Sequence, residues 1–130
     1  NAVQSGMGCD GYRRCGGAIL GPFEAWLVLR GMRTMHLRVQ QSCASAMHLA
    51  SHFSAHPKIE RVLYPGLADH PRHEIAKRQM QGGYGGMMSI QVAGGRDAAL
   101  RVAEAVRLFI PATSLGGVES LLEHRKRRRA

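Results

Sequence analysis

Leu29, Met32, Met35, Val39, Cys43, Met47, Ala50 and Phe53 recur every three or four residues. That spacing places them along one stripe of an α-helix. It predicts a long amphipathic helix over about 23–55, with Arg30, Arg33, Arg38 and Gln41 beside or opposite the stripe. Gly31 is the candidate bend within it, and His56-Pro57 stops it, because the residue before a proline is pushed out of helical geometry. A methionine-rich stripe of this kind reads as core rather than as a cofactor surface.

After the stop, KIERVLYPG at 58–66 reads as a short strand with Ile59, Val62 and Tyr64 facing inward, closed by a Pro-Gly turn. Pro71 suits the first turn of a second helix, with Glu74 near its positive end. That helix is expected to run to about Gln81 and stop at Gly82-Gly83. GGMMSIQVAGG at 85–95 is an apolar strand between glycine pairs. RDAALRVAEAVRLF at 96–109 carries Leu100, Ala103 and Val106 at helical spacing, and a strand-like end follows. Strands separated by helices predict an α/β, layered fold with helices packed on a sheet.

Composition narrows the function classes. The chain has 130 residues, 45% of them hydrophobic, enough for one domain with a core. No apolar run is long enough to span a membrane, and NAVQSGMG has neither the basic start nor the apolar stretch of a signal peptide. A cytosolic origin is the expectation. The formal charge of +9 invites a nucleic-acid reading. Five of those charges sit in the tail RKRRR at 125–129, and aromatic residues are only 5%, too few for base-stacking platforms. A solvated tail is the simpler account. Cys9, Cys15 and Cys43 form no CxxC pair, so reduced thiols are expected. His52 and His56 stand four apart but lack the surrounding HExxH pattern, and no metal site is expected.

Near the end of the chain stands SLGGVESLLEH, 114–124. Paired glycines permit close approach of another group to the backbone. On residues alone this is either an anion-holding loop or a tight turn into a strand.

Three stretches together, GPFEAWLVLRGMRTM, HPKIERVLYPGLADHPRHEIAKRQM and SLGGVESLLEH, come in an order and at a spacing that resemble the C-terminal part of the transsulfuration enzymes of cysteine and methionine metabolism. The resemblance covers about residues 16–124. This family, with cystathionine γ-synthase, cystathionine γ-lyase, methionine γ-lyase and the homoserine-ester sulfhydrylases, uses pyridoxal phosphate and has the aspartate-aminotransferase type of fold. The resemblance implies that the chain is the small C-terminal domain of that fold, incomplete. It implies a sulfur amino acid or activated homoserine as substrate, a γ-replacement or γ-elimination, and a homotetramer for the complete enzyme. It also implies that the Ser114 hydroxyl and the Leu115 N–H hold the substrate α-carboxylate. Thr113 then faces the side-chain end of the substrate, where many members carry a glutamate that can meet the far amino group of cystathionine; a neutral threonine cannot do so by charge.

The family's Schiff-base lysine lies in a Ser-x-Thr-Lys motif. The three lysines here, Lys58, Lys77 and Lys126, lie outside any such motif. No catalytic, cofactor-binding or metal-binding residue is therefore assigned. The expected organisation is a Gly-rich loop and linker at 1–22 continuing from the large domain, a substrate-side domain at 23–124, and a basic tail at 125–130. CDGYRRCG at 9–16 looks like an insertion relative to the family. The other readings are a non-catalytic interaction module of the same family and a basic nucleic-acid-binding domain.

Overall fold

Pro57 ends the stripe in the structure as it does in the sequence. The structure, a computed structural model, describes residues 15–17 and 19–124. Most of the 9–16 insertion and all of the basic tail lie outside the described residues. The chain divides into two compact units, 1–36 and 37–130.

The single helix expected over 23–55 is two helices. Helix α1 spans Pro22–Met32 and α2 spans Met35–Ser54, with a turn at Arg33 and Thr34 between them. The break falls two residues after Gly31, the expected bend. Arg33 keeps right-handed helical dihedrals, φ −59° and ψ −31°, so what is interrupted is the hydrogen-bond ladder rather than the handedness. A physical reason lies in burial. Leu29, Met32, Met35 and Val39, the first half of the stripe, are all exposed. Helix there rests on intrinsic propensity, which a glycine lowers by about 1 kcal/mol.

The second half of the stripe does form a core. Cys43, Ala46 and Ala50 are buried on α2. Ala46 and Ala50 form one buried cluster with Val62 and Tyr64, and Met47, Phe53, Ile59, Leu67, Tyr84, Met88 and Ile90 pack around it. The helix tightens as it ends: the His56 N–H donates to the Phe53 carbonyl at 3.1 Å, and Ser54 Oγ donates back to the Ala50 carbonyl at 2.8 Å. Pro57 has no N–H with which to continue the ladder.

Strand β1, Ile59–Leu63, pairs antiparallel with β2, Ser89–Val92, with a bulge between Ile59 and Arg61. The Ala93 N–H donates to the Lys58 carbonyl at 2.9 Å and lengthens the pairing by one step. Between the strands lies α3, His73–Gln79, shorter than the expected 71–81: Pro71 sits in the preceding turn, and Met80 has already turned extended. Helix α4, Gly95–Ala105, follows β2 through Gly94 at φ +90° and ends where Val106 turns extended, four residues short of the expected 109.

The chain closes with β3, Ile110–Pro111, paired in parallel with β4, Leu121–Leu122. The strand-like end is thus a two-residue ladder. The layered α/β class stands, with two two-stranded sheets in place of one sheet among the described residues.

Candidate functional site

The SLGG stretch lies in the loop that runs from β3 to β4. Because these strands are parallel, the chain leaves Pro111, loops, and re-enters in the same direction. The pairing is held by the Ile110 N–H donating to Ser120 O at 2.9 Å and the Ala112 N–H donating to Leu122 O at 3.3 Å. Everything from Thr113 to Glu119 is therefore free of the ladder and exposed. Gly116 has φ +89°, a left-handed conformation that L side chains rarely adopt. Its reversal turns the loop back toward β4.

Thr113, Ser114 and Leu115 are exposed and consecutive just before that reversal, and Leu115 is 74% exposed. Among the described residues, the Ser114 hydroxyl and the Leu115 N–H have no hydrogen-bond partner. A hydroxyl and an amide one residue apart, both exposed and without a partner among the described residues, suit a carboxylate, which accepts only. One group works against an anion here. The Glu119 carboxylate folds back onto the loop and lies where a Cβ on Gly117 would be. It reaches there through a flexible side chain and has no hydrogen bond to another described residue.

The structure brings no other expected site residue to this loop. Lys58 is exposed in the turn before β1, where its N–H donates to His56 Nδ1 at 3.2 Å. Lys77 is exposed in the last turn of α3. Neither lines the hollow bounded by Trp26, Leu29, Arg30 and Arg33 or the one bounded by Ser54, Ile59, Glu60, Arg61, Val62 and Asp69. Neither of these two lysines is enclosed by the described residues. Lys126 lies outside the described residues. Among the described residues no group of three or more histidine, cysteine or acidic side chains could hold a metal ion.

What sequence reasoning missed is a second cluster. The stretches YPGL, HPRH and GGYGG come together beside the middle of α2. The Tyr64 hydroxyl donates to Gly85 O at 2.8 Å, with the Cys43 carbonyl at 3.5 Å beside it. His73 Nδ1 donates to Pro65 O at 2.8 Å, and its ring lies 5.7 Å from that of Tyr84. Tyr84 in turn meets Tyr64 edge-on at 6.5 Å. Burial, and after it the neighbouring Cys43 and Tyr84, raise the Tyr64 phenol above its ordinary value. The only sequence signal was glycine placement. A Cβ on Gly66 would meet Met47, Tyr64 and Tyr84 at 2.6, 2.7 and 2.9 Å, and one on Gly83 would meet Cys43 Sγ at 2.7 Å. These motifs are packing devices, while the loop at 113–117 is open.

Comparison with known proteins gives the same family from three directions. The family of Cys/Met metabolism PLP-dependent enzymes matches residues 5–129. The chain is 51% identical over 108 residues to a cystathionine gamma-synthase of Mycobacterium tuberculosis, covering 83% of this chain and 28% of that protein. It is 48% identical over 108 residues to a cystathionine beta-lyase of Coxiella burnetii, with the same coverage of 83% and 28%. Its fold matches the crystal structure of metB from Corynebacterium glutamicum with a TM-score of 0.75 at 45% identity, over 78% of this chain and 26% of that one. The chain thus spans a little over a quarter of the length of the curated relatives it matches. With that length, this fold and these motifs in register, the chain belongs to the Cys/Met metabolism family of pyridoxal-phosphate-dependent enzymes.

Proposed function

We propose that this chain forms the substrate-side wall of a pyridoxal-phosphate enzyme that makes or breaks C–S bonds in sulfur amino acids or activated homoserine. The observation that carries the reading is the open loop at 113–117, with the Ser114 hydroxyl and the Leu115 N–H free of any partner among the described residues ahead of the left-handed Gly116. In this reading Ser114 and Leu115 bind the substrate α-carboxylate, and Thr113 borders the substrate's side chain. Glu119 swings off Gly117 when the carboxylate arrives, since two anions repel at such range. In the family, the cofactor acidifies substrate protons so that the γ-substituent can leave. The loop contributes orientation, and the substrate, the cytoplasmic setting and the assembly of the complete enzyme into a homo-oligomer belong to the same proposal.

The isolated chain is inactive in this reading, because neither Lys58 nor Lys77 sits in an enclosed site. Borohydride reduction after incubation with pyridoxal phosphate should give only diffuse labelling; a stoichiometric adduct on one of them would refute that part. The main test uses a full-length chimera in which this chain replaces the matching segment of the M. tuberculosis cystathionine gamma-synthase. A hydroxyl-to-carboxylate hydrogen bond shielded from water contributes about 1.5–3 kcal/mol, so Ser114→Ala should lower kcat/KM about tenfold or more. Unchanged kcat/KM in a folded variant would reduce SLGG to a turn.

A further inference from the structure

Helix α1 carries exposed apolar side chains on every side. Trp26, Leu27, Val28 and Leu29 are consecutive. At about 100° per residue, four such neighbours point around nearly the whole helix. They are 52%, 45%, 49% and 62% exposed, Phe23 is 64% exposed, and none of the eleven residues of α1 is buried. A helix that is apolar all round belongs in an interior. Two cations mark one polar edge: Arg30 lies over the Trp26 ring at 5.6 Å, and with Arg33 it borders the hollow beside Trp26 and Leu29. Glu24, in the first turn, points about 120° away from Arg30.

From this we infer that α1 is an enclosed helix, wrapped on several sides by the part of a complete family enzyme that lies outside the matched segment. The inference rests on the fragment reading proposed above. Two observations choose this occupant over a second copy of the chain. A dimer docking along one helix face would cover only one side and leave Val28 or Trp26 in water, whereas the relatives carry nearly three quarters of their length beyond the match. The enclosing wall is apolar and supplies an acidic side chain or free carbonyls near Arg30 and Arg33, because a guanidinium withdrawn from water needs acceptors.

Leu27 and Leu29 point about 200° apart on the helix, and this separates the possibilities. In the full-length chimera, Leu27→Glu and Leu29→Glu should each cause a large loss of thermal stability. In the isolated chain, where both residues are exposed, each should leave stability nearly unchanged, as should the surface change Gln79→Glu in either protein. Backbone amides of α1 should exchange with deuterium severalfold more slowly in the chimera than in the isolated chain. If only one of the two glutamates disrupts the chimera, α1 docks by one face and the enclosure is wrong. If neither does, or if amide exchange is equal in the two proteins, α1 is a surface helix. If the isolated chain already protects α1, either as a monomer or by self-association at higher concentration, the occupant is this chain and not the remainder of the enzyme. Should the full exchange fail to fold, a graft of residues 22–32 alone reads out in the same way. None of these measurements depends on Ser114, so this inference and the carboxylate reading can fail separately.

Discussion

The Tyr64 hydroxyl reaches 21 residues along the chain to donate to the Gly85 carbonyl at 2.8 Å. This one bond ties the end of β1 to the glycine-rich stretch that leads into β2, against the buried half of α2. Tyr64 is also the largest fully buried side chain among the described residues. The hydroxyl is thus a polar group inside the core, satisfied by a carbonyl that the ladder does not use.

Tyr64→Phe keeps the ring and removes the donor. It leaves the Gly85 carbonyl without its partner, at a cost of about 1–3 kcal/mol. The expected result is a lower urea midpoint with an unchanged slope. A variant as stable as the parent would mean that water replaces the hydroxyl at no cost.

Alkaline pH acts on the same group. Its pKa in the fold is raised above the ordinary 10.0, chiefly by burial. The fold therefore favours the neutral phenol. Its contribution is full below the unfolded value and is lost as pH rises through the folded value. Stability of the parent should fall more steeply above pH 10 than that of Tyr64→Phe. Parallel curves from thermal melts across that range would assign the alkaline loss to other groups.

Three glycines should respond differently to alanine. At Gly66 the new methyl meets Met47, Tyr64 and Tyr84 within 2.9 Å, so overpacking should cost about 1–3 kcal/mol. At Gly116 nothing lies within 4 Å, but φ +89° imposes backbone strain of about 1 kcal/mol. At Gly117 only the mobile end of Glu119 is in the way, and the change should stay within about 0.5 kcal/mol. Denaturation midpoints order the three directly. Equal losses at Gly66 and Gly117 would contradict the packing described for the Tyr64–Tyr84 cluster.

Thr113 is expected to set preference rather than rate. In the full-length chimera, Thr113→Glu should raise kcat/KM for cystathionine relative to a homoserine ester, because the carboxylate can meet the far amino group of cystathionine. An unchanged ratio would place Thr113 away from the substrate side chain.

Much of the local structure was legible without coordinates. The 3.6-residue periodicity of Cys43, Met47, Ala50 and Phe53, the stop at Pro57, and the packing of Ile59, Val62 and Tyr64 follow from side-chain spacing and proline stereochemistry, and the structure shows each of them. The family was legible as well, from three stretches in register. Helix lengths were less so. Val106, Leu108 and Phe109 continue an apolar pattern, yet α4 ends at Ala105 and Leu108 is 86% exposed. Periodicity reports where apolar groups recur, not whether anything meets them.

The sequence by itself therefore determined the order of strands and helices after Pro57 and the kinship of the chain, because these rest on local stereochemistry and on motifs a few residues long. Only the tertiary structure decided that YPGL, HPRH and GGYGG are one packed cluster, that SLGG stands open beyond a two-residue ladder, and that the apolar stripe is covered after Cys43 and bare before it. Hydrogen bonds such as Tyr64 to Gly85 join residues 21 positions apart. Whether an apolar side chain is buried depends on what the rest of the molecule places against it, which no local pattern records.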